Sequence, residues 1–171
     1  MPTYIALLRA VNVGGTGKLP MSELKAMCVA QGFEAVRTYI ASGNVIFSTE
    51  LPKPQVKAAL EKRLKAYAGK PVAVAVRTTK EMADVLNASP FAHHPPNRTV
   101  AIFLDDAPPA DTISTAKGLK DEQLCLGKRE IYVAYGQDMG HSKLRIVAAT
   151  GTARNMNTIA KLAGLAASQG E

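Results

Sequence analysis

Residues 36–47 read VRTYIASGNVIF. Two strand-forming runs, Val36 to Ile40 and Val45 to Phe47, flank Ser42-Gly43-Asn44. Turn residues between such runs predict an antiparallel hairpin. That hairpin decides how its flanks are read. Upstream, Tyr4 to Val11 is a compact apolar run, predicted to be a buried strand. Pro20 opens a helix at its first turn, where a missing N–H costs nothing. Met21, Leu24, Met27 and Cys28 form its inner stripe, and Gly32 ends it. Downstream, Pro52 and Pro54 precede a second helix with Val56, Leu60, Leu64 and Tyr67 at helical spacing. Lys53, Lys57, Glu61 and Lys65 make its outer stripe, Gly69 stops it, and a strand from Val72 to Val76 follows. The order is strand, helix, strand, strand, helix, strand. This is the ferredoxin-like unit, an antiparallel sheet with both helices on one face.

The second half repeats the theme less regularly. A helix around Glu81–Leu86 and a proline-rich link, HHPPN at 93–97, come first. A strand Thr99–Leu104, a helix from about Asp111, and a hairpin LCLGKREIYVAY turning at Gly127-Lys128 follow. A short helix near Ser142–Val147 and a brief extended piece, GTAR, precede the last helix. That helix turns Ile159, Leu162 and Leu165 inward, with Asn155 as its N-cap. The expected fold is α+β: two ferredoxin-like βαββαβ units, the second less regular, plus a C-terminal helix. The expected division is 1–78 for the first unit and 79–171 for the second, with 79–98 as linker. The duplication rests on element order, because the sequence shows no obvious repeat.

The chain has 171 residues, 47% of them apolar, which suits a folded globular protein. No apolar run approaches the roughly 20 residues that span a bilayer. The first apolar run contains Arg9 and follows no basic stretch, so it reads as a core strand rather than a signal peptide. Cys28 and Cys125 sit far apart within apolar patterns, as buried thiols of a cytoplasmic protein would. The net charge of +7 is one-sided. Residues 1–78 hold eleven Lys/Arg against four Asp/Glu, while 79–171 hold ten of each. A basic half suits an anionic partner, or is simply a solvated face.

Residues 12–19, NVGGTGKL, follow the first strand as a phosphate-binding loop would. The nucleotide-hydrolysing loop needs Gly-x-x-x-x-Gly-Lys-Ser/Thr. Here Asn12 replaces the first glycine and Leu19 the hydroxyl that would hold Mg²⁺. Pro20 also removes a donor from the helix start, and the next strands form a hairpin rather than a parallel crossover. An ATPase or GTPase is rejected. A weaker reading stays open: Gly14, Gly15 and Gly17 expose backbone N–H groups, Lys18 adds charge, and a helix N-terminus adds its dipole. The alternative is that the glycines only turn the chain.

Other reactive groups carry little. His93-His94 lacks Cys or His partners at ligand spacing. Asp105-Asp106 reads as a solvated turn with Asp111 capping the next helix. Ser142-Lys143, adjacent on one helix, do not face each other. Cys28 lies on an apolar stripe and makes a poor nucleophile. No metal and no cofactor are expected.

Five stretches together, LLRAVNVGG, KLPMSEL, RTYIASGNVIF, GHSKL and TARNMNTIAKL, resemble a bacterial family of unknown function, domain family 1697. The resemblance spans nearly the whole chain and implies two ferredoxin-like units, with no established activity. Carried over residue by residue, it implies a polar set. The first motif supplies Arg9, Asn12, Gly14, Gly15 and Lys18; the hairpin supplies Tyr39, Ser42, Gly43 and Asn44; the last motif supplies Arg154, Asn155, Asn157 and Thr158. This chain departs from the family at Ala10 (usually glycine), Ala41 (glutamine) and Met156 (tryptophan). The set is rich in Asn, Ser, Arg, Lys and Tyr and poor in carboxylates, which suits oxyanion recognition and offers no obvious general base. The expected function is binding of an anionic ligand, a phosphorylated metabolite or nucleic acid, in a pocket where Arg9, Lys18, Asn44 and Arg154 meet; the alternative is that these motifs hydrogen-bond to one another and staple the two units. The alternatives are an enzyme acting on a phosphorylated or acyl-phosphate substrate, and a protein-interaction module without a small ligand.

Overall fold

A computed structural model describes residues 1–11, 18–146 and 151–169. The chain divides into two compact units. The first is Met1–Ala83 together with the chain from Lys161 onward; the second is Asp84–Ala160. The C-terminal helix, assigned whole to the second half from sequence, therefore contributes its Lys161–Gln169 part to the first unit. There, Gln169 Nε2 donates to Ser48 Oγ at 3.3 Å.

The first unit runs β1 (Thr3–Leu8), α1 (Met21–Ala30), β2 (Glu34–Thr38), β3 (Asn44–Ser48), α2 (Lys53–Ala68), β4 (Val74–Thr78). Its sheet has the order β2-β3-β1-β4, and all three pairings are antiparallel. The central strand β1 is buried at every position, as its unbroken apolar run requires. Alternation sends Tyr4, Ala6 and Leu8 to one face of the sheet. On that face they join Leu24, Met27 and Cys28 of α1 and Val56, Leu60 and Leu64 of α2 in one core, so both helices cover the same side. Burial there pushes the Cys28 thiol up to about 12, which leaves it inert. Ile5, Leu7 and Ile46, from the opposite face, are fully buried as well.

Both helix ends follow from local chemistry. Pro20 and Pro52, extended in φ and ψ, sit just before α1 and α2. Gly69, at φ 73°, ends α2 in the left-handed cap conformation, and its N–H bonds to Lys65 O at 2.9 Å. One position departs from the stripe. Tyr67 is 47% exposed, whereas Leu64, one turn earlier, is buried.

The second unit has β5 (Thr99–Phe103), β6 (Gln123–Leu126), β7 (Glu130–Ala134) and β8 (Thr152–Asn155). The sheet order β6-β7-β5-β8 repeats that of the first unit, again all antiparallel. α3 (Thr79–Asn87) precedes this sheet and α4 (Met156–Gln169) follows it. Neither expected crossover helix forms among the described residues. The segment from Asp111 is a series of turns. Its hydroxyls bond back to nearby carbonyls: Thr112 Oγ1 to Pro109 O at 2.6 Å, and Ser114 Oγ and Thr115 Oγ1 to Asp111 O at 3.0 and 2.8 Å. The Thr112 and Thr115 N–H groups reach the same two carbonyls, at 3.1 and 2.9 Å, so the bonds close local turns. The expected helix near Ser142–Val147 is likewise absent over 142–146, where Arg145 instead bridges Lys117 in antiparallel fashion. Met139, Leu144 and Ile146 cover Val100, Ile102, Ile131 and Val133 of the sheet, giving it an apolar layer without a helix.

Glu122 ties these two non-helical segments together. Its carboxylate is 7% exposed by residue and accepts from Ser142 Oγ at 2.5 Å and from the Lys120 N–H at 2.7 Å. The Ser142 hydroxyl first, and the Lys120 N–H second, hold this carboxyl below its ordinary range. A carboxyl with a depressed folded pKa stabilises the protein above the unfolded pKa, and that contribution fades as pH falls through the folded value. Glu122→Gln is therefore expected to lower stability at pH 7 and to flatten the acid limb below about pH 4.5. Urea denaturation at pH 7 and at about pH 3.5 checks this; an equal loss at both values would show that the charge is not responsible.

Candidate functional site

The first unit holds an open cavity of about 560 Å³ where the end of β1, the segment before α1, the last turns of α2 and the approach to β4 come together. Arg9, Lys18 and Lys70 line it, along with Tyr67. Its apolar wall includes Val11, Leu19, Leu64 and Val72, all buried in the core of the unit. No Asp, Glu or His is among the described residues that line it. Arg9 is held at the end of the central strand β1 by its own N–H, which donates to Ala73 O at 3.0 Å. Next to it, Ala10 takes φ 55°. A left-handed alanine costs about 1 kcal/mol, so the chain carries backbone strain at the cavity rim.

Two sequence-derived site residues, Arg9 and Lys18, therefore share one cavity. Asn12, Gly14 and Gly15, together with Gly17, lie outside the described residues. Leu19, which stands where a nucleotide-hydrolysing loop would carry its hydroxyl, is 5% exposed and belongs to the core. β1 also has antiparallel neighbours on both sides, so the parallel crossover of a P-loop protein is absent around it.

The hairpin residues do different work. Asn44 is fully buried and does not line the cavity. Its Nδ2 donates to Tyr39 O and Ser42 Oγ, both at 2.9 Å, while the Tyr39 N–H donates to Asn44 O at 3.0 Å. Asn44 thus closes the turn from inside, as turn asparagines do. Gly43 O in turn accepts from the Leu8 N–H at 2.9 Å, pinning the turn to the end of β1.

The last motif lies in the second unit up to Ala160. Asn155 Oδ1 accepts from the Thr158 N–H at 2.9 Å, the geometry of an N-cap on α4. Arg154 is 8% exposed and donates to Thr152 Oγ1 at 2.8 Å and Ala153 O at 2.9 Å. Burial lowers its pKa to about 10. Asn157 lines a smaller cavity of about 270 Å³ within the same unit, beside Phe91, His94 and Met156.

Lys70 and Tyr67 did not stand out in the sequence. Tyr67 has core spacing on α2, and Lys70 looks like one more surface lysine. Only the fold turns both toward Arg9 and Lys18. Among the described residues, no three His, Cys, Asp or Glu side chains gather as a metal site. No helix among the described residues is long and apolar enough to cross a membrane.

Two four-stranded antiparallel sheets of corresponding strand order, the first within a βαββαβ unit and the second followed by the C-terminal helix, define the class: an α+β protein. The chain belongs to the family described as protein of unknown function (DUF1697), whose model matches residues 1–132. It is also similar to a solved structure, that of the conserved bacterial protein SP0830 from Streptococcus pneumoniae. The two share 25% identity at a TM-score of 0.80, over 98% of this chain and 99% of that one. No curated protein matches the chain.

Proposed function

We propose that the first unit binds a phosphorylated small molecule in the cavity lined by Arg9, Lys18 and Lys70. One observation carries the reading: three cations and no carboxylate among the described lining of an otherwise apolar cavity. Its volume of about 560 Å³ falls in the range of small-molecule sites, roughly 300–1,000 Å³. Lys18 also lies two residues before Pro20 and the N-terminus of α1, whose dipole favours negative charge.

Nucleic acid is the weaker partner for this half. The lysine stripe on α2 offers fewer phosphate contacts than its spacing suggests. Lys53 Nζ lies 2.8 Å from Glu81 Oε1, and Lys57 Nζ lies 2.9 Å from Glu61 Oε2 while also donating to Val74 O.

Titration calorimetry with ribose 5-phosphate at low salt tests the proposal. Saturable binding is expected, weakened about tenfold or more in Lys18→Ala/Lys70→Ala, because a hydrogen bond to a charged group contributes about 1.5–3 kcal/mol. No binding, or equal binding by the double variant, would overturn it. Release of inorganic phosphate during the titration would move the reading to a hydrolase.

A further inference from the structure

Tyr67 is the unexplained member of the cavity. Its position continues the Val56, Leu60, Leu64 stripe, yet almost half of its surface is open to water. It lines the same cavity as the three cations, on the last turn of α2. A large exposed aromatic beside an apolar wall offers a stacking surface to a planar ring. Lys18 precedes the positive end of α1, which favours an anion. Arg9, Lys18 and Lys70 thus offer their charges to a phosphate, and the exposed face of Tyr67 offers an uncharged surface to a ring.

We infer that the cavity takes a nucleoside monophosphate, with its base stacked on Tyr67 and its phosphate held by the Arg9, Lys18 and Lys70 cations. The inference rests on the anion-binding reading above and adds the ring to it. Stacking of a base on an aromatic side chain is worth about 1–3 kcal/mol, or about 5-fold to 150-fold in affinity. Because the ring is recognised by its face, purines and pyrimidines both bind, with purines favoured by their larger surface.

The test compares AMP with ribose 5-phosphate on the full chain, by calorimetry. AMP is expected to bind about tenfold more tightly than ribose 5-phosphate. Tyr67→Ala is expected to weaken AMP binding more than ribose 5-phosphate binding, so that the two affinities converge, whereas Tyr67→Phe keeps the tenfold gap. Equal affinities for the two probes, or an AMP affinity that survives Tyr67→Ala, would overturn the stacking inference while leaving phosphate binding intact. Failure of both probes to bind would overturn the two readings together. A short single-stranded oligonucleotide serves as the third probe: binding much tighter than that of AMP, with steep salt dependence, would overturn the free-nucleotide reading in favour of nucleic acid.

Discussion

Gly43→Ala is expected to destabilise the protein by about 3 kcal/mol, from a single added methyl group. Two effects combine. Gly43 has φ 91°, a conformation L residues rarely adopt. A Cβ there would lie 2.6 Å from Val11 Cγ2 and 2.9 Å from Leu8 Cβ. Both neighbours are core side chains, so neither moves without disturbing the sheet. Overpacking of this kind costs about 1–3 kcal/mol, and the backbone conformation about 1–2 kcal/mol. The smaller entropy of unfolded alanine offsets about 0.4–1 kcal/mol. Gly69→Ala is the control, since Gly69 has φ 73° but nothing within 4 Å of the added Cβ. Urea denaturation should show a loss of about 1 kcal/mol for the control and roughly three times that for Gly43→Ala. Equal losses would mean that the turn does not press on β1 as described. The carbonyl of Gly43 also anchors the strand end that carries Arg9, so weaker phosphate binding is expected to accompany the loss.

Phe47→Ala should cost more, about 3–5 kcal/mol. Phe47 is fully buried on β3. Its ring lies nearly parallel to that of Phe33, with centroids 4.4 Å apart and planes 8° from each other. Tyr4, on the neighbouring strand β1, approaches it at 6.3 Å and 44°. Truncation removes both ring contacts and leaves a cavity between the sheet and the helices. Phe47→Leu, which keeps most of the volume, should lose about 1–2 kcal/mol. Denaturation midpoints of the two variants measure the difference. A loss below about 1 kcal/mol for Phe47→Ala would show that this core collapses freely around the gap.

The candidate site was partly legible. Arg9 and Lys18 stood out because each breaks an apolar or glycine-rich run next to a strand end. The cavity joins them as it would any two residues at adjoining ends of β1 and α1. Asn44 looked like a ligand contact, but its amide hydrogens face inward to the turn. A turn asparagine and a binding asparagine are the same letter, and only the hydrogen-bond partners separate them. Tyr67 looked like core because three of the four stripe positions are core. Helical spacing assigns a face, but whether that face meets protein at the final turn depends on what lies opposite.

Local chemistry alone determined the first unit. Strand runs, proline starts, a glycine stop at Gly69 and the turn at Ser42-Gly43-Asn44 all agree with one another, so periodicity and turn residues suffice to give βαββαβ. The same local rules failed where side chains had two choices. At 111–115 the hydroxyls of Thr112, Ser114 and Thr115 bond Pro109 O and Asp111 O alongside the Thr112 and Thr115 N–H groups, and the chain makes turns rather than a helix. At 142–145 Ser142 turns to Glu122, twenty positions away, and Arg145 pairs with Lys117 across the unit. Tertiary structure decided the 142–145 segment because its partners are not sequence neighbours, and it brought Tyr67 and Lys70 to Arg9 for the same reason. Helical or strand period reports only which residues share a face. Which distant residues complete a site depends on how the strand ends and helix ends are brought together.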